Sequence, residues 1–143
     1  MTATSKTQSE IRFTYAVFVG SWFCFLFMVH TLNRPPRSIS PWVVGGLIFA
    51  AAYLVIVGFA MRKKFFKQAE AALPADLPKA LKLWKAAHII GFCFAIDLAF
   101  FGSVLKFLGS NWLVSGIFFG LSLVFLLLWR PCQLAYSPMQ PAM

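Results

Sequence analysis

Four long apolar runs, separated by short polar stretches, form the main pattern of the chain. They cover residues 13–32, 41–61, 86–105 and 112–129. A hydrocarbon core about 30 Å thick is crossed by a helix of roughly 20 apolar residues, which is close to the length of each run. The runs are continuous and do not alternate apolar with polar positions, which favours helices over barrel strands. The pattern therefore predicts four transmembrane helices.

The second and fourth runs begin with related sequences. The segment from Ser40 reads SPWVVGGLIFA, and the segment from Ser110, which starts 70 residues later, reads SNWLVSGIFFG. Each of these runs follows another apolar run, so the repeated unit is a pair of helices, at about residues 12–72 and about 82–134, with a basic connection at 62–85. Both pairs would enter the membrane from the same side, which makes the repeats parallel rather than inverted. We therefore expect a single all-α integral membrane domain over residues 1–143, built from two parallel helical hairpins.

The composition agrees with a membrane protein. Hydrophobic residues make up 60% of the chain and charged residues 12%, and the mean hydropathy is +0.77. Soluble domains are closer to half apolar and a quarter charged, so a chain of this size could not bury so much apolar surface in water. The net charge of +9 at pH 7 comes from basic residues beside the helix ends, where anionic lipid, rather than nucleic acid, is the nearest partner.

The basic residues also predict the orientation of the chain. If the N-terminus is cytoplasmic, ten of the 13 Lys and Arg residues lie on the cytoplasmic side, as the positive-inside rule requires. We therefore expect a multi-pass protein of a bacterial-type inner (plasma) membrane with both termini cytoplasmic. The other three basic residues are Arg34, Arg37 and Lys106, and the tryptophans at the same outer interface are Trp42 and Trp112.

Seven of the cytoplasmic cations lie in the connection between the hairpins, and six of them are candidates for contact with lipid. We expect them to contact lipid headgroups, because a basic residue near an anionic membrane surface gains about 1 kcal/mol. The alternative is a docking surface for a soluble partner. The six residues are Arg62, Lys63, Lys64, Lys67, Lys82 and Lys85.

Close helix packing in a membrane depends on small residues, since lipid gives no hydrophobic drive between helices. Small residues recur four positions apart in three of the runs, and we expect them to mark tight helix contacts. The sequence leaves open whether those contacts lie within the bundle or between subunits. The positions are Gly46 and Ala50 in the second run, Gly91, Ala95, Ala99 and Ser103 in the third, and Gly116 and Gly120 in the fourth.

Asp97 is an acidic residue near the centre of the third run. An ionised Asp at that depth costs about 2.5–3.5 kcal/mol on insertion scales, and acids inside membranes commonly have a function. When Gly20 is aligned with Gly91, Leu26 stands at the position equivalent to Asp97, so the fold does not require the acid. The functional interpretations are a proton or cation relay and a polar contact to a partner helix. The structural alternative is a protonated Asp that bonds to a backbone carbonyl or to Ser21, Tyr53 or Ser122.

Two histidines raise the hypothesis of a haem or pigment. His30 lies at the outer end of the first run and His88 near the inner end of the third, some 20 Å or more apart at about 1.5 Å rise per residue. That separation excludes a haem held by both residues and leaves His88 as a candidate single ligand. The cysteines have no CxxC spacing, and we expect no metal site: they are Cys24, Cys93 and Cys132.

The sequence shows no nucleophile–base or acid/base pair, so we do not expect an enzyme. We expect a non-catalytic accessory or scaffolding subunit of a larger membrane complex, whose partners are lipids and other membrane subunits or further copies of itself. The first alternative is a homo-oligomeric proton or cation channel or transporter that uses Asp97. The second is a haem- or pigment-binding subunit, whose hydrophobic cofactor would lie among the 17 phenylalanines.

Overall fold

The computed structural model describes residues 3–31, 35 and 37–131 of the chain. These residues form helices and no strand, which confirms the all-helical class. The helices are α1 (Ala3–Thr31), α2 (Pro41–Ala72), α3 (Leu77–Leu108) and α4 (Trp112–Leu128). Arg34, Cys132 and the part of the second repeat beyond residue 131 lie outside the described residues.

Three of these helices, α1, α2 and α3, are long and apolar enough to cross a membrane. The fourth, α4, is apolar and shorter, at 17 residues. Large apolar side chains lie on the outside of the bundle, among them Phe27, Phe49 and Leu113, whose exposed fractions are 69%, 75% and 71%. A surface of this kind suits lipid rather than water, so the architecture is that of a helical membrane protein.

The helices extend beyond the apolar runs, so the basic connection is itself mostly helical. α2 continues to Ala72, and only residues 73–76 separate it from α3. Asp76 caps α3 by accepting a hydrogen bond from the backbone N–H of Lys79 at 2.9 Å. Pro78 lies in the first turn of α3, where its missing N–H costs no helical hydrogen bond.

A tight turn joins α3 to α4. Gly109 ends α3 in the left-handed conformation, with φ of 104°, and its N–H donates to the carbonyl of Lys106 at 3.0 Å. Asn111 then caps α4 by accepting a hydrogen bond from the N–H of Val114 at 3.0 Å. These two caps place α3 and α4 side by side as an antiparallel pair.

α3 is the centre of the bundle and packs against each of the other three helices. It supplies Trp84 and Phe92 to the core, and these side chains are 2% and 0% exposed. α1 reaches α4 where the indole N–H of Trp22 donates to the carbonyl of Phe119 at 3.2 Å. Within the described ranges α1 and α2 do not approach each other closely, because α3 lies between them. The α1–α2 pair and the α3–α4 pair therefore pack differently, and the two hairpin repeats stay a prediction.

Candidate functional site

Asp97 lies on the open face of α3, between α1 and α2. At 100° per residue, Phe94 and Phe100 lie 60° to either side of Asp97 on the helix. Phe94 packs against Gly58 of α2, and the ring of Phe100 stands edge-on to that of Phe25 in α1, with centroids 6.3 Å apart. Asp97 therefore lies on a face of α3 that is between α1 and α2 and that neither helix covers.

The Asp97 side chain is half-buried, and in the part of the chain that the structure describes it makes no hydrogen bond or ion pair. Two of its sequence-predicted partners are engaged elsewhere. Ser21 donates to the Val17 carbonyl of its own helix at 2.9 Å, and Ser122 donates to the Ala95 carbonyl at 2.6 Å. A carboxyl group placed in this way is available to a proton, a cation or a hydrogen-bond donor from another molecule.

The small residues that were predicted to mark helix contacts fall into two groups. One group is buried on α3 and packs within the bundle: Gly91, Ala95, Ala99 and Ser103. The other group is exposed on α2 and α4, and apart from the nearby backbone of the same helix no described heavy atom lies within 4 Å of the position that a Cβ would take: Gly46, Gly116 and Gly120. Ala50 is intermediate in exposure. The second group is therefore open to lipid or to another protein.

Two other glycines, which the spacing of small residues did not reveal, make close contacts between helices. Gly58 of α2 is buried against Phe94 of α3, and Gly102 of α3 is buried against Phe118 of α4. These contacts position α3 between its two neighbours, and so they determine where the open face with Asp97 lies.

His88 is fully buried among aromatic side chains. Its ring centroid lies 4.9 Å from that of Trp84, 5.2 Å from that of Phe66 and 6.1 Å from that of Phe92. Its Nδ1 lies 3.0 Å from the carbonyl oxygen of Trp84. A haem or chlorin bound to His88 would have to displace these rings, so the surroundings favour a role in packing over one in holding a cofactor.

The six predicted headgroup residues have different surroundings. Lys85 forms an ion pair with Glu10 of α1, in which Nζ and Oε2 lie 2.7 Å apart. The guanidinium carbon of Arg62 lies 4.7 Å from the ring centroid of Phe66 and 5.5 Å from that of Trp129. The remaining four are exposed on α2 and α3: Lys63, Lys64, Lys67 and Lys82.

Among the residues that the structure describes, no three His, Cys, Asp or Glu side chains are grouped as metal ligands would be. Cys24 and Cys93 are free thiols on the exposed surface. No protein-family model, curated protein or solved structure matches the chain.

Proposed function

We propose that this protein is a non-catalytic accessory or scaffolding subunit of a larger membrane assembly. The observation that carries the proposal is the open face of α3, where Asp97 has no hydrogen-bond or ion-pair partner among the described residues. A helix of another subunit that brings a hydrogen-bond donor or a cation to this depth would satisfy the carboxyl group and cover this face of α3.

The exposed Gly46 of α2 supports a partner contact on the same side of the bundle as Asp97. On α2, Gly58 faces α3, and Phe59, 100° further round, contacts Phe125 of α4, with ring centroids 5.7 Å apart. Gly46 lies 120° from Gly58 in the rotational direction opposite to Phe59, so Gly46 faces away from α4. Asp97 also faces away from α4. Gly46 and Asp97 therefore lie on one side of the α2–α3 pair, where a partner helix could approach closely.

In the proposed arrangement all four helices span a bacterial-type inner membrane as two parallel hairpin repeats, with both termini in the cytoplasm. The 17 residues of α4 reach about 26 Å at 1.5 Å per residue, which is near the thickness of a hydrocarbon core. The cation-rich end of α2 and the start of α3 lie at the same end of the bundle, which supports a cytoplasmic location for that end.

Native mass spectrometry of the protein, purified in mild detergent from its own membrane, tests the proposal. We expect the chain to carry further membrane subunits or copies of itself, and we expect Asp97→Leu and Gly46→Leu to release them. The matched control is Gly45→Leu, because Gly45 is equally open but points 100° away from Gly46. A monodisperse lone monomer for the unmodified chain, or full retention of partners in both variants, would contradict the proposal.

A second candidate function is a homo-oligomeric proton or cation channel or transporter. It is favoured by the same carboxyl group. This group is half-exposed, and among the described residues it has no hydrogen-bond or ion-pair partner that would hinder the exchange of its proton. In liposomes that contain the purified protein, Asp97→Asn should abolish ion flux, whereas Asp97→Glu should retain part of it. Equal flux in the unmodified chain and Asp97→Asn would eliminate this function.

A further inference from the structure

A shallow groove follows α2 where the helix leaves its apolar part. The groove has apolar side chains at the end nearer the membrane, cations in the middle and one acid at the far end. Its lining includes Phe59, Arg62, Lys63, Phe66, Lys67 and Glu70. They form two parallel rows in which neighbours are three or four positions apart, at 59, 62, 66 and 70 and at 59, 63, 67 and 70, so they share one face of the helix.

The Arg62 side chain is held at the base of this groove. Its guanidinium group lies against the rings of Phe66 and Trp129, and its Cδ lies close to Gly91, where a Cβ would come within 3.2 Å of it. A guanidinium is attracted to an aromatic face, because the face of the ring carries partial negative charge. The cation therefore has a defined position before any ligand arrives.

We propose that this groove binds the headgroup phosphate of an anionic phospholipid. The order of groups along α2 matches the order of groups in a lipid. Phe59, which is 44% exposed, would meet the start of an acyl chain, and Arg62 and Lys63 lie one turn further out, at the depth of the phosphate. Lys67 lies about 7.5 Å beyond Arg62, within reach of the outer part of a headgroup.

The charge of the groove selects an anion. Among the residues that the structure describes, its lining carries three cations and Glu70, so the cations of this lining are in excess by two. Glu70 lies about 12 Å along the helix from Arg62 and does not neutralise the cations at the phosphate position. A soluble acidic partner is disfavoured, because the groove continues into the exposed aromatic surface at Phe59, which belongs in lipid.

The sharpest test compares two pairs of substitutions that remove the same charge. Lys63→Gln with Lys67→Gln removes two exposed cations that line the groove, whereas Lys64→Gln with Lys82→Gln removes two exposed cations that lie outside it. All four side chains are on the surface, and circular dichroism and the unfolding temperature verify that both variants are folded. Binding of phosphatidylglycerol to the delipidated protein is then measured by native mass spectrometry.

We expect the groove pair to weaken phosphatidylglycerol binding by about tenfold or more and the control pair by no more than about twofold. Lys63→Arg with Lys67→Arg should retain the binding. An equal loss in the two glutamine pairs would show a diffuse basic surface instead of a defined groove, and no loss in the groove pair would overturn the proposal outright.

Two further binding measurements distinguish an anionic lipid from other ligands. Inorganic phosphate in large excess should leave phosphatidylglycerol bound, and its displacement would indicate a simple anion site. Phosphatidylcholine should bind the unmodified chain and the groove pair equally. A parallel loss of both lipids in the groove pair would show that the cations do not select an anionic headgroup.

Discussion

A Cβ atom at Gly58 would lie 2.7 Å from Cγ of Phe94, so α2 and α3 meet at a point where only a hydrogen atom fits. Gly102 has the same role between α3 and α4, because a Cβ there would lie 3.0 Å from both Cβ of Phe118 and the carbonyl oxygen of Ser115. The neighbouring atoms are backbone or the inner part of a side chain, which cannot move aside cheaply. The two glycines therefore set the distance between α3 and the helices on two of its sides.

Replacing Gly58 or Gly102 by alanine should lower the free energy of unfolding by about 1–3 kcal/mol, the usual cost of overpacking a tight contact. The matched controls are Gly46→Ala and Gly116→Ala, which add the same methyl group where no neighbour lies within 4 Å. These controls should be neutral or slightly stabilising, since alanine favours the helix. Unfolding by SDS in mixed micelles, followed by circular dichroism, measures the difference. Equal destabilisation at all four positions would contradict this packing.

The apolar runs predicted that the chain forms four helices, and three of these are long and apolar enough to cross a membrane, because run length reports directly on that capacity. The spacing of small residues predicted packing less well. Gly58 has Leu54 and Arg62 four residues to either side, so a search for small residues four apart does not find it. Gly46 satisfies the spacing with Ala50 and yet is exposed. Spacing shows only that two residues share a helix face, whereas the packing of that face depends on the positions of all the other helices.

The turn after α3 should be sensitive to any side chain at Gly109. Its φ of 104° is in the left-handed region, and a Cβ would lie 2.9 Å from Cβ of Arg37, whose N–H donates to the Gly109 carbonyl at 2.9 Å. Gly109→Ala is expected to cost at least about 1–2 kcal/mol, because the left-handed conformation and the crowding both oppose it. Gly20→Ala in the middle of α1 is the control, since it meets no atom within 4 Å. Similar unfolding curves for the two variants would show that the turn tolerates a Cβ.

Ser122 joins α4 to α3 by donating its hydroxyl hydrogen to the Ala95 carbonyl at 2.6 Å. Hydrogen bonds between membrane helices contribute about 0.6 kcal/mol on average and up to about 1.7 kcal/mol. Ser122→Ala should therefore lower the free energy of unfolding by an amount in this range. Ser21→Ala removes a hydroxyl that bonds only within α1, to Val17, and should have a smaller effect. A larger loss for Ser21→Ala in the same SDS titration would contradict the assignment.

The candidate site was predictable in its residues and unpredictable in its surroundings. Asp97 stands out in the sequence because an acid in an apolar run has a high insertion cost. The position of Asp97 between α1 and α2 depends on where those two helices pack against α3. The sequence around Asp97 does not encode that arrangement. The basic residues likewise formed one set in the sequence. The structure separates Lys85, which pairs with Glu10, from Lys63, which lines a groove.

The ion pair between Glu10 and Lys85 joins the start of α1 to α3, with Nζ and Oε2 2.7 Å apart and both side chains partly exposed. Glu10→Lys or Lys85→Glu brings like charges together and should lower the unfolding temperature. The double variant should recover most of the loss, because it rebuilds the pair with the charges exchanged. At about 1 M salt, where the Debye length falls to about 3 Å, the differences among the four proteins should shrink. Additive effects of the two substitutions at both salt concentrations would show that this pair does not hold α1 to α3.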